Sequence, residues 1–442
     1  MKSLPPDPNV FLSEHLPELL PEGGLTLLFE LAQEAHGAGW AVYLEGGTVR
    51  DSLLGIPSYD IDVSVVGDAP ALARKVGQSV QAKVEVHEEF GTATLVFRGN
   101  PFTMDMVRAR SEHYERPGAL PQVEAGTIEQ DMARRDFTVN AMAVRILADN
   151  IGDLLDLYGG VADLRAGVIR VLHDSSFQDD PTRIFRAAKL AVRLDFQIEP
   201  HTFELILLAV RDGAVGNVSI DRVTRELLLI MQEPKGSDVM ALLDKLGVLS
   251  SLFPELAWPF AKGAMEPVEG GKQERLETHL AALAIHFAGT DPELAEGLAR
   301  FLHMPLPLVK LMRDAVGLMS VWDRLGAEEQ RPSETYRLLH TLNPASLEAV
   351  ARLNPSSHNS SEWDRLRQYV EVWSHVKTAL NGEYLKELGV KAGPVYRELL
   401  GALHDAKLDG EVATEAEEAR FVADWLRRAQ TLSQGNGKDK QA

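Results

Sequence analysis

Asp60 and Asp62, in the run YDIDVSVV, are the side chains whose type and spacing point most directly to chemistry. On a strand, residues two apart share a face at roughly 6.5–7 Å, so both carboxylates look into the same cleft. Carboxylates held this way suit a pair of divalent ions roughly 3.5–4 Å apart, the arrangement that steadies attacking and leaving oxygens in phosphoryl transfer. Just upstream, Gly46 and Gly47 lack Cβ atoms and can bring backbone N–H groups close to a polyphosphate, with a helix from Thr48 adding its positive end. The bland alternative is an ordinary glycine turn ahead of an Asp-rich strand edge.

The flanking pattern supplies elements to hold these residues. Apolar residues recur at helical spacing from Leu25 to Ala35, and WAVYLEG reads as a strand delivering Gly46. A helix near Pro70–Gln81 and strand-like KVEVHEEF, TATLVF and PFTMDMVRA follow, giving a small mixed α/β domain. In the last of these strands Asp105 is either a third carboxylate of the site or a solvated strand acid. Residues 108–131 lack periodicity and read as a long loop, a kind of segment that is usually functional or disordered. In ARRDFTVNAMAV, a helix opened by Asp136 would put Asp136 and Asn140 on one face, with Arg134 and Arg135 at its positive end beside any phosphate.

A second informative stretch is SSFQDDPTRIFRAAKLAVRLDF, residues 175–196. Pro181 suits a first helical turn, which sets Asp180 and Arg183 three apart on one face. A carboxylate beside a guanidinium can imitate a Watson–Crick edge: the acid accepts from the amino group of cytosine or adenine, and the arginine donates to ring acceptors. Uracil and guanine would set a carbonyl against the acid. Read without such a role, the pair is a helix-capping acid and an i,i+3 ion pair worth about 0.2–0.5 kcal/mol.

Five stretches in order, GGTVRDSLLG with YDIDVSV, RRDFTVNA, LLDLYGGVADLRAGVIRVL, DDPTRIFRAA and SIDRVTRELL, resemble the motifs of the class II tRNA nucleotidyltransferase and bacterial poly(A) polymerase family. The resemblance covers roughly residues 25–256. It implies a polymerase-β-like α/β head of mixed sheet and helices followed by an all-α neck, body and tail. The implied layout is an N-terminal extension (1–24), head (25–148), neck with the base-reading motif (149–217), body (218–260), RNA-binding tail (276–432) and a disordered end (433–442). The implied activity is metal-dependent addition of the 3′-terminal A to tRNA from ATP, with addition of the whole CCA from CTP and ATP left open. Asp60 and Asp62 would hold Mg2+ or Mn2+, with Asp105 beside them. Gly46, Gly47, Arg50, Arg134, Arg135, Asp136 and Asn140 would bind ribose and triphosphate, and Asp180, Arg183 and Arg186 would lie at the base. The Gly159-Gly160 motif is a connector or a plain hinge, Arg222 and Glu226 fall in the fifth motif, and the segment 108–131 corresponds to a loop that helps switch relatives to adenine. Asp179 stands where the family usually has Glu. Two rivals are a poly(A) polymerase and a non-catalytic RNA-binding relic, the latter disfavoured by intact carboxylates.

Composition bounds this reading. With 442 residues, 45% hydrophobic and 25% charged, the chain matches a multidomain globular protein. No apolar run is long enough for a membrane span and no signal peptide is evident, so a cytoplasmic place is expected. The absence of cysteine excludes disulfides, thiolate metal sites and thiol nucleophiles, leaving oxygen or imidazole ligands. A net charge of −20 runs against a nucleic-acid partner, so any RNA surface requires folding to gather dispersed arginines. His404-Asp405 reads as a helix-surface pair, residues 1–10 as unfixed, and 261–275 as a linker before a helical remainder.

Overall fold

The computed structural model describes residues 4–97, 102–113, 122–252, 268–327, 329–353, 360–391 and 393–435. The chain divides into two compact units, Met1–Ile230 with Asp238–Glu255, and Met231–Ser237 with Leu256–Ala442. Among the described residues no helix is long and apolar enough to cross a membrane.

The first unit opens with α1 (Pro8–Leu19), started by the Asp7 carboxylate, which accepts from the N–H groups of Asn9 and Val10. Residues 8–10 are therefore fixed, contrary to the sequence reading, because buried Leu12 and Leu16 dock the helix and Asn9 accepts from the Leu154 N–H. Then come α2 (Gly24–Gly37), β1 (Ala41–Glu45), α3 (Gly46–Leu53), β2 (Asp60–Val66), α4 (Ala69–Ser79), β3 (Lys83–His87), β4 (Thr92–Val96) and β5 (Thr103–Arg108). The expected loop 108–131 instead contains a hairpin, β6 (Arg110–His113) paired antiparallel with β7 (Gln122–Ala125), and the helix α5 (Ile128–Ala133). Residues 114–121 of that stretch lie outside the described residues. With β8 (Ala143–Ile146) and β9 (Ile151–Leu155) the main sheet is seven-stranded, in the order β3-β4-β5-β2-β1-β8-β9.

The two faces of this sheet divide the labour. Ile61, Val63 and Val65 of β2, Met104 and Met106 of β5 and Leu95 of β4 are all buried on one face. There α2 and α4 cover them: a Cβ at Gly24 would meet Ile61 at 3.1 Å, and one at Gly77 would meet Leu95 at 3.3 Å. Asp60, Asp62 and Ser64 take the other face by alternation. Tyr43, opposite Ser64, packs there against Ile128 and Met132 of α5. A capping box starts α5, Thr127 accepting from the Gln130 N–H and the Gln130 side chain from the Thr127 N–H. This short helix thus ends beside β2 and delivers Arg134 and Arg135 there.

Helical structure follows with α6 (Gly160–Ala166), a two-stranded parallel pair β10 (Val168–Ile169) and β11 (Gln197–Ile198), α7 (Ser176–Asp179), α8 (Thr182–Leu194), α9 (Pro200–Arg211), α10 (Ile220–Met231), α11 (Gly236–Lys245) and α12 (Val248–Leu252). The Gly159-Gly160 motif is a tight packing point: a Cβ on Gly160 would come within 2.4 Å of the Thr138 carbonyl oxygen, and Thr138 donates to Asp163 at 2.6 Å.

The second unit is helical throughout its described part. A first group, α13 (Lys272–Ala288), α14 (Pro292–Phe301), α15 (Leu306–Ser320), the single turn α16 (Trp322–Leu325), α17 (Pro332–Leu339) and α18 (Pro344–Arg352), is followed by α19 (Ser361–Glu371), α20 (Gly382–Glu387), α21 (Pro394–Leu408) and α22 (Glu415–Gly435). Helix α13 takes in residues 272–275 of the expected linker, preceded by the irregular residues 268–271, and 433–435 of the expected disordered end continue α22; residues 261–267 and 436–442 lie outside the described residues. His404 meets the Val376 carbonyl and the edge of Tyr336, and Asp405 lies 3.8 Å from Arg337, so both members of that pair have packing roles. At the end of the chain Glu418 is fully buried, accepts from the Leu380 N–H and pairs with Lys407. Burial would raise its carboxyl, but Lys407 and the backbone N–H groups hold it below the ordinary value. Lys407→Met leaves that charge without its counter-ion and is expected to destabilise this unit by about 3 kcal/mol. Because the folded value is depressed, the wild-type contribution is present above pH ~4.3 and is lost as pH falls through the folded value. Thermal melts of wild type and variant should accordingly differ at pH 7 and converge in acid.

Candidate active site

Strand pairing assembles the acids. β2 and β5 run parallel with Asp60 opposite Thr103 and Asp62 opposite Asp105, and Asp105 is in turn opposite Thr94 of β4. Asp60, Asp62 and Asp105 therefore share one sheet face. Thr103 donates to Asp60 at 3.4 Å and Thr94 to Asp105 at 2.6 Å. Burial pushes the Asp62 carboxyl up to about 6; Arg135 opposes this, and Asp105 and Asp60 add to it.

Helix α3 begins at Gly46 itself rather than at Thr48. Gly46 has φ +65°, and a Cβ there would sit 2.6 Å from Arg135 Nη1, so only glycine lets the backbone and this guanidinium approach. Arg50 of the same helix is buried, donating to Asp51 at 2.8 Å and to Asn140 at 2.5 Å.

Asp136 opens no helix. Arg134 and Arg135 follow the C-terminal end of α5, Phe137 is buried in an isolated bridge to Val171, and Thr138–Asn140 make one 3-10 turn. The bridge holds Phe137 extended, which rules out helical geometry there. The expected contact survives nonetheless, since Asn140 donates to Asp136 at 3.0 Å. Asp136 also pairs with Arg186 at 2.7 Å; burial would raise its carboxyl, but Arg186 and Asn140 hold it below the ordinary range.

Asp180 lies just before α8 in an extended conformation, with Pro181 as the N-cap. Its Oδ1 accepts from the Thr182 N–H at 3.1 Å, the Thr182 hydroxyl at 2.7 Å and Arg222 at 2.8 Å. Arg183 is buried and pairs elsewhere, donating to the Ser176 hydroxyl at 2.7 Å and the Arg134 carbonyl at 2.8 Å. The two are thus held side by side by separate partners rather than by an ion pair with each other.

These groups meet in a cavity of about 410 Å³ lined by Gly47, Asn140, six arginines (Arg50, Arg110, Arg134, Arg135, Arg183, Arg186) and three aspartates (Asp62, Asp136, Asp180). Its volume is that of a small-molecule site. A surplus of arginine over acid within a chain of net charge −20 supplies the positive field that the composition hides.

The head of the first unit matches the family model described as the poly A polymerase head domain over residues 42–170, and residues 195–258 match the one described as the probable RNA and SrmB-binding site of polymerase A. An A-adding tRNA nucleotidyltransferase of Halalkalibacterium halodurans is 31% identical over 428 residues, covering 92% of this chain and 94% of that protein. The chain belongs to the tRNA nucleotidyltransferase family. A second A-adding tRNA nucleotidyltransferase, from Geobacter sulfurreducens, is 34% identical over 424 residues, 91% of this chain, but the chain spans only about half (47%) of that relative's length. Among solved structures, the complex of a CCA-adding enzyme with ATP superposes with a TM-score of 0.70 at 27% identity, covering 94% of this chain and 98% of that one.

Against this family background, three residues at the site, Arg110, Glu45 and Asp131, lie outside the motif residues, and for Arg222 the motif gives the residue but not its partner. Arg110 lines the cavity from the first strand of the hairpin. Arg222 reaches Asp180 across 42 positions of sequence. Glu45, buried, pairs with Arg135, and Asp131, fully buried, bonds both Arg134 and Arg135. Asp131 carries a local signal, an acid three and four residues before two arginines, and a lone acid ending the apolar run WAVYLEG hints at Glu45.

Proposed function

We propose that this nucleotidyltransferase adds the 3′-terminal A to tRNA from ATP, releasing pyrophosphate and choosing the base without a nucleic-acid template. The observation that carries the reading is the convergence, in one cavity, of Asp62, an arginine-rich cradle and the Asp180/Arg183 pair. Arg50, Arg134, Arg135 and the N–H groups at Gly46 and Gly47 receive the triphosphate. Asp136 and Asn140 face the ribose, with Arg186 holding Asp136. Arg183 donates to ring acceptors and Asp180 accepts from the exocyclic amino group.

A divalent ion fits the donor set at Asp60 and Asp62: two carboxylates on one face, with the ionised form of Asp62 disfavoured by burial and by its acidic neighbours. Mg2+ is commonly held by one or two carboxylates together with substrate phosphates, and Mn2+ accepts similar oxygen ligands. Bound there, it would lower the pKa of the attacking 3′-hydroxyl and offset charge on the triphosphate. The helical tail is the proposed RNA-binding part, and the substrate implies a cytoplasmic enzyme.

The deciding experiment offers the purified chain three tRNA substrates, ending before CCA, after one C and after two, each with ATP, CTP or both, beside an unrelated RNA. Extension of only the CC-ended substrate, by one A, is the expected result. Extension of all three marks a full CCA-adding enzyme. A product that stops at CC with ATP present refutes terminal A addition, and processive tailing of the unrelated RNA marks a poly(A) polymerase.

A further inference from the structure

Asp131 is fully buried, and a buried carboxylate is costly unless donors surround it. Oδ1 accepts from the Arg110 N–H at 3.1 Å, from Arg134 Nε at 3.0 Å and from Arg134 Nη2 at 2.8 Å. Oδ2 accepts from the Ser64 hydroxyl and from Arg135 Nη2, both at 3.4 Å. One side chain thereby ties together the strand carrying Asp62, the first strand of the hairpin and both arginines after α5. From Arg134 the network continues by a further bond, since its carbonyl accepts from Arg183. Arg135 has a second buried acid beside it, Glu45, but burial pushes that carboxyl up to about 7. Asp131 is held below its ordinary value, burial being outweighed by Arg134 and Arg135, so it stays ionised between the two guanidinium groups at neutral pH.

We infer that Asp131 is a positioning residue for both halves of the nucleotide: by fixing Arg134 and Arg135 it sets the triphosphate cradle, and through the Arg134 carbonyl it sets Arg183 at the base. This rests on the nucleotide role proposed above for the cavity. Asp131 does not line the cavity and acts only through the arginines. Two discrete functions, phosphate affinity and base preference, consequently depend on one buried acid, and a purely structural acid would not couple them.

The test is Asp131→Asn in the full chain, read by steady-state kinetics with ATP and with UTP on CC-ended tRNA, and by thermal unfolding. The amide keeps the shape but turns an N–H2 group towards guanidinium donors. The expected result is a folded enzyme with a raised KM for ATP, a narrowed preference for ATP over UTP, and kcat/KM lower by on the order of 10²-fold, the loss that follows a displacement of about 1 Å in positioning groups. Arg134→Lys should show the same two effects, and adding Asp131→Asn to it should cost little more, because the two act in one path. A folded Asp131→Asn enzyme whose KM and base preference match wild type overturns the inference, as does simple additivity in the double variant. Should Asp131→Asn not fold, Arg134→Lys decides alone, and unchanged base preference there overturns it. Failure of the wild-type enzyme to extend CC-ended tRNA with ATP refutes the underlying reading instead, and is seen before any variant is made.

Discussion

Asp62→Ala is expected to cut nucleotide incorporation by at least about 10³-fold while leaving the chain folded. Stabilisation of transition-state charge by a bound ion is worth several kcal/mol, and each ~1.4 kcal/mol is tenfold in rate. The fold should tolerate the change because Asp62 is no part of the apolar layer: Ile61 and Val63 on either side of it point into the core, and Asp62 faces the cavity. Its environment even acts against the charged form, with burial, Asp105 and Asp60 all pushing the carboxyl up, so removing it relieves repulsion. Asp60→Ala should behave alike. Asp105→Ala should cost less, since Asp105 is exposed and its Oδ1 is engaged by Thr94. Single-turnover incorporation of labelled ATP into CC-ended tRNA, beside circular dichroism of each variant, measures both halves. Turnover within tenfold of wild type in Asp62→Ala would remove Asp62 from the metal site, and an Asp105→Ala loss equal to the other two would make it a three-carboxylate site.

What the sequence disclosed and what it hid follow from the range of each interaction. The alternation that puts Asp60 and Asp62 on one face is a period-two property of seven consecutive residues, and β2 carries it out. That Asp105 lies opposite Asp62 depends on parallel pairing of strands 43 positions apart, which no local pattern specifies. Between Asp136 and Asn140 the contact was legible and the helix was not. A spacing of four suggested helix, yet the bridge from Phe137 to Val171 imposes extended backbone, and a 3-10 turn then brings Asn140 back to Asp136. Net charge misled for a similar reason, since Arg50, Arg134 and Arg183 become neighbours only when α3, the end of α5 and α8 converge. Motif residues, Arg222 among them, were thus recognisable one by one, whereas the anchoring acids Asp131 and Glu45, and the pairing of Arg222 with Asp180, came from the tertiary contacts.

Asp180→Asn should loosen the choice of base, and the geometry gives the direction. Its three bonds, from Thr182 N–H, Thr182 hydroxyl and Arg222, all engage Oδ1, so Oδ2 is the oxygen available to accept from the amino group of adenine. Against uracil the same oxygen would face a carbonyl, and two acceptors repel. An asparagine can place an N–H2 group there, accepting neither less shape nor more volume but reversing the polarity of one contact. Discrimination for ATP over UTP should then fall by about 5- to 150-fold, the equivalent of ~1–3 kcal/mol for a good bidentate contact. Arg183→Ala should loosen selectivity by a similar factor and in addition slow incorporation of every nucleotide, because the Ser176 hydroxyl and the Arg134 carbonyl lose their donor and the cradle loses its link to the base reader. Triphosphate affinity should change less in Asp180→Asn than in Arg183→Ala, since Asp180 bonds to none of the cradle arginines, its guanidinium partner being Arg222. The measurement is relative kcat/KM for ATP, CTP, UTP and GTP on CC-ended tRNA. If both variants reject UTP as strongly as wild type does, the pair only shapes the start of α8, and base choice must be sought among the other residues lining the cavity.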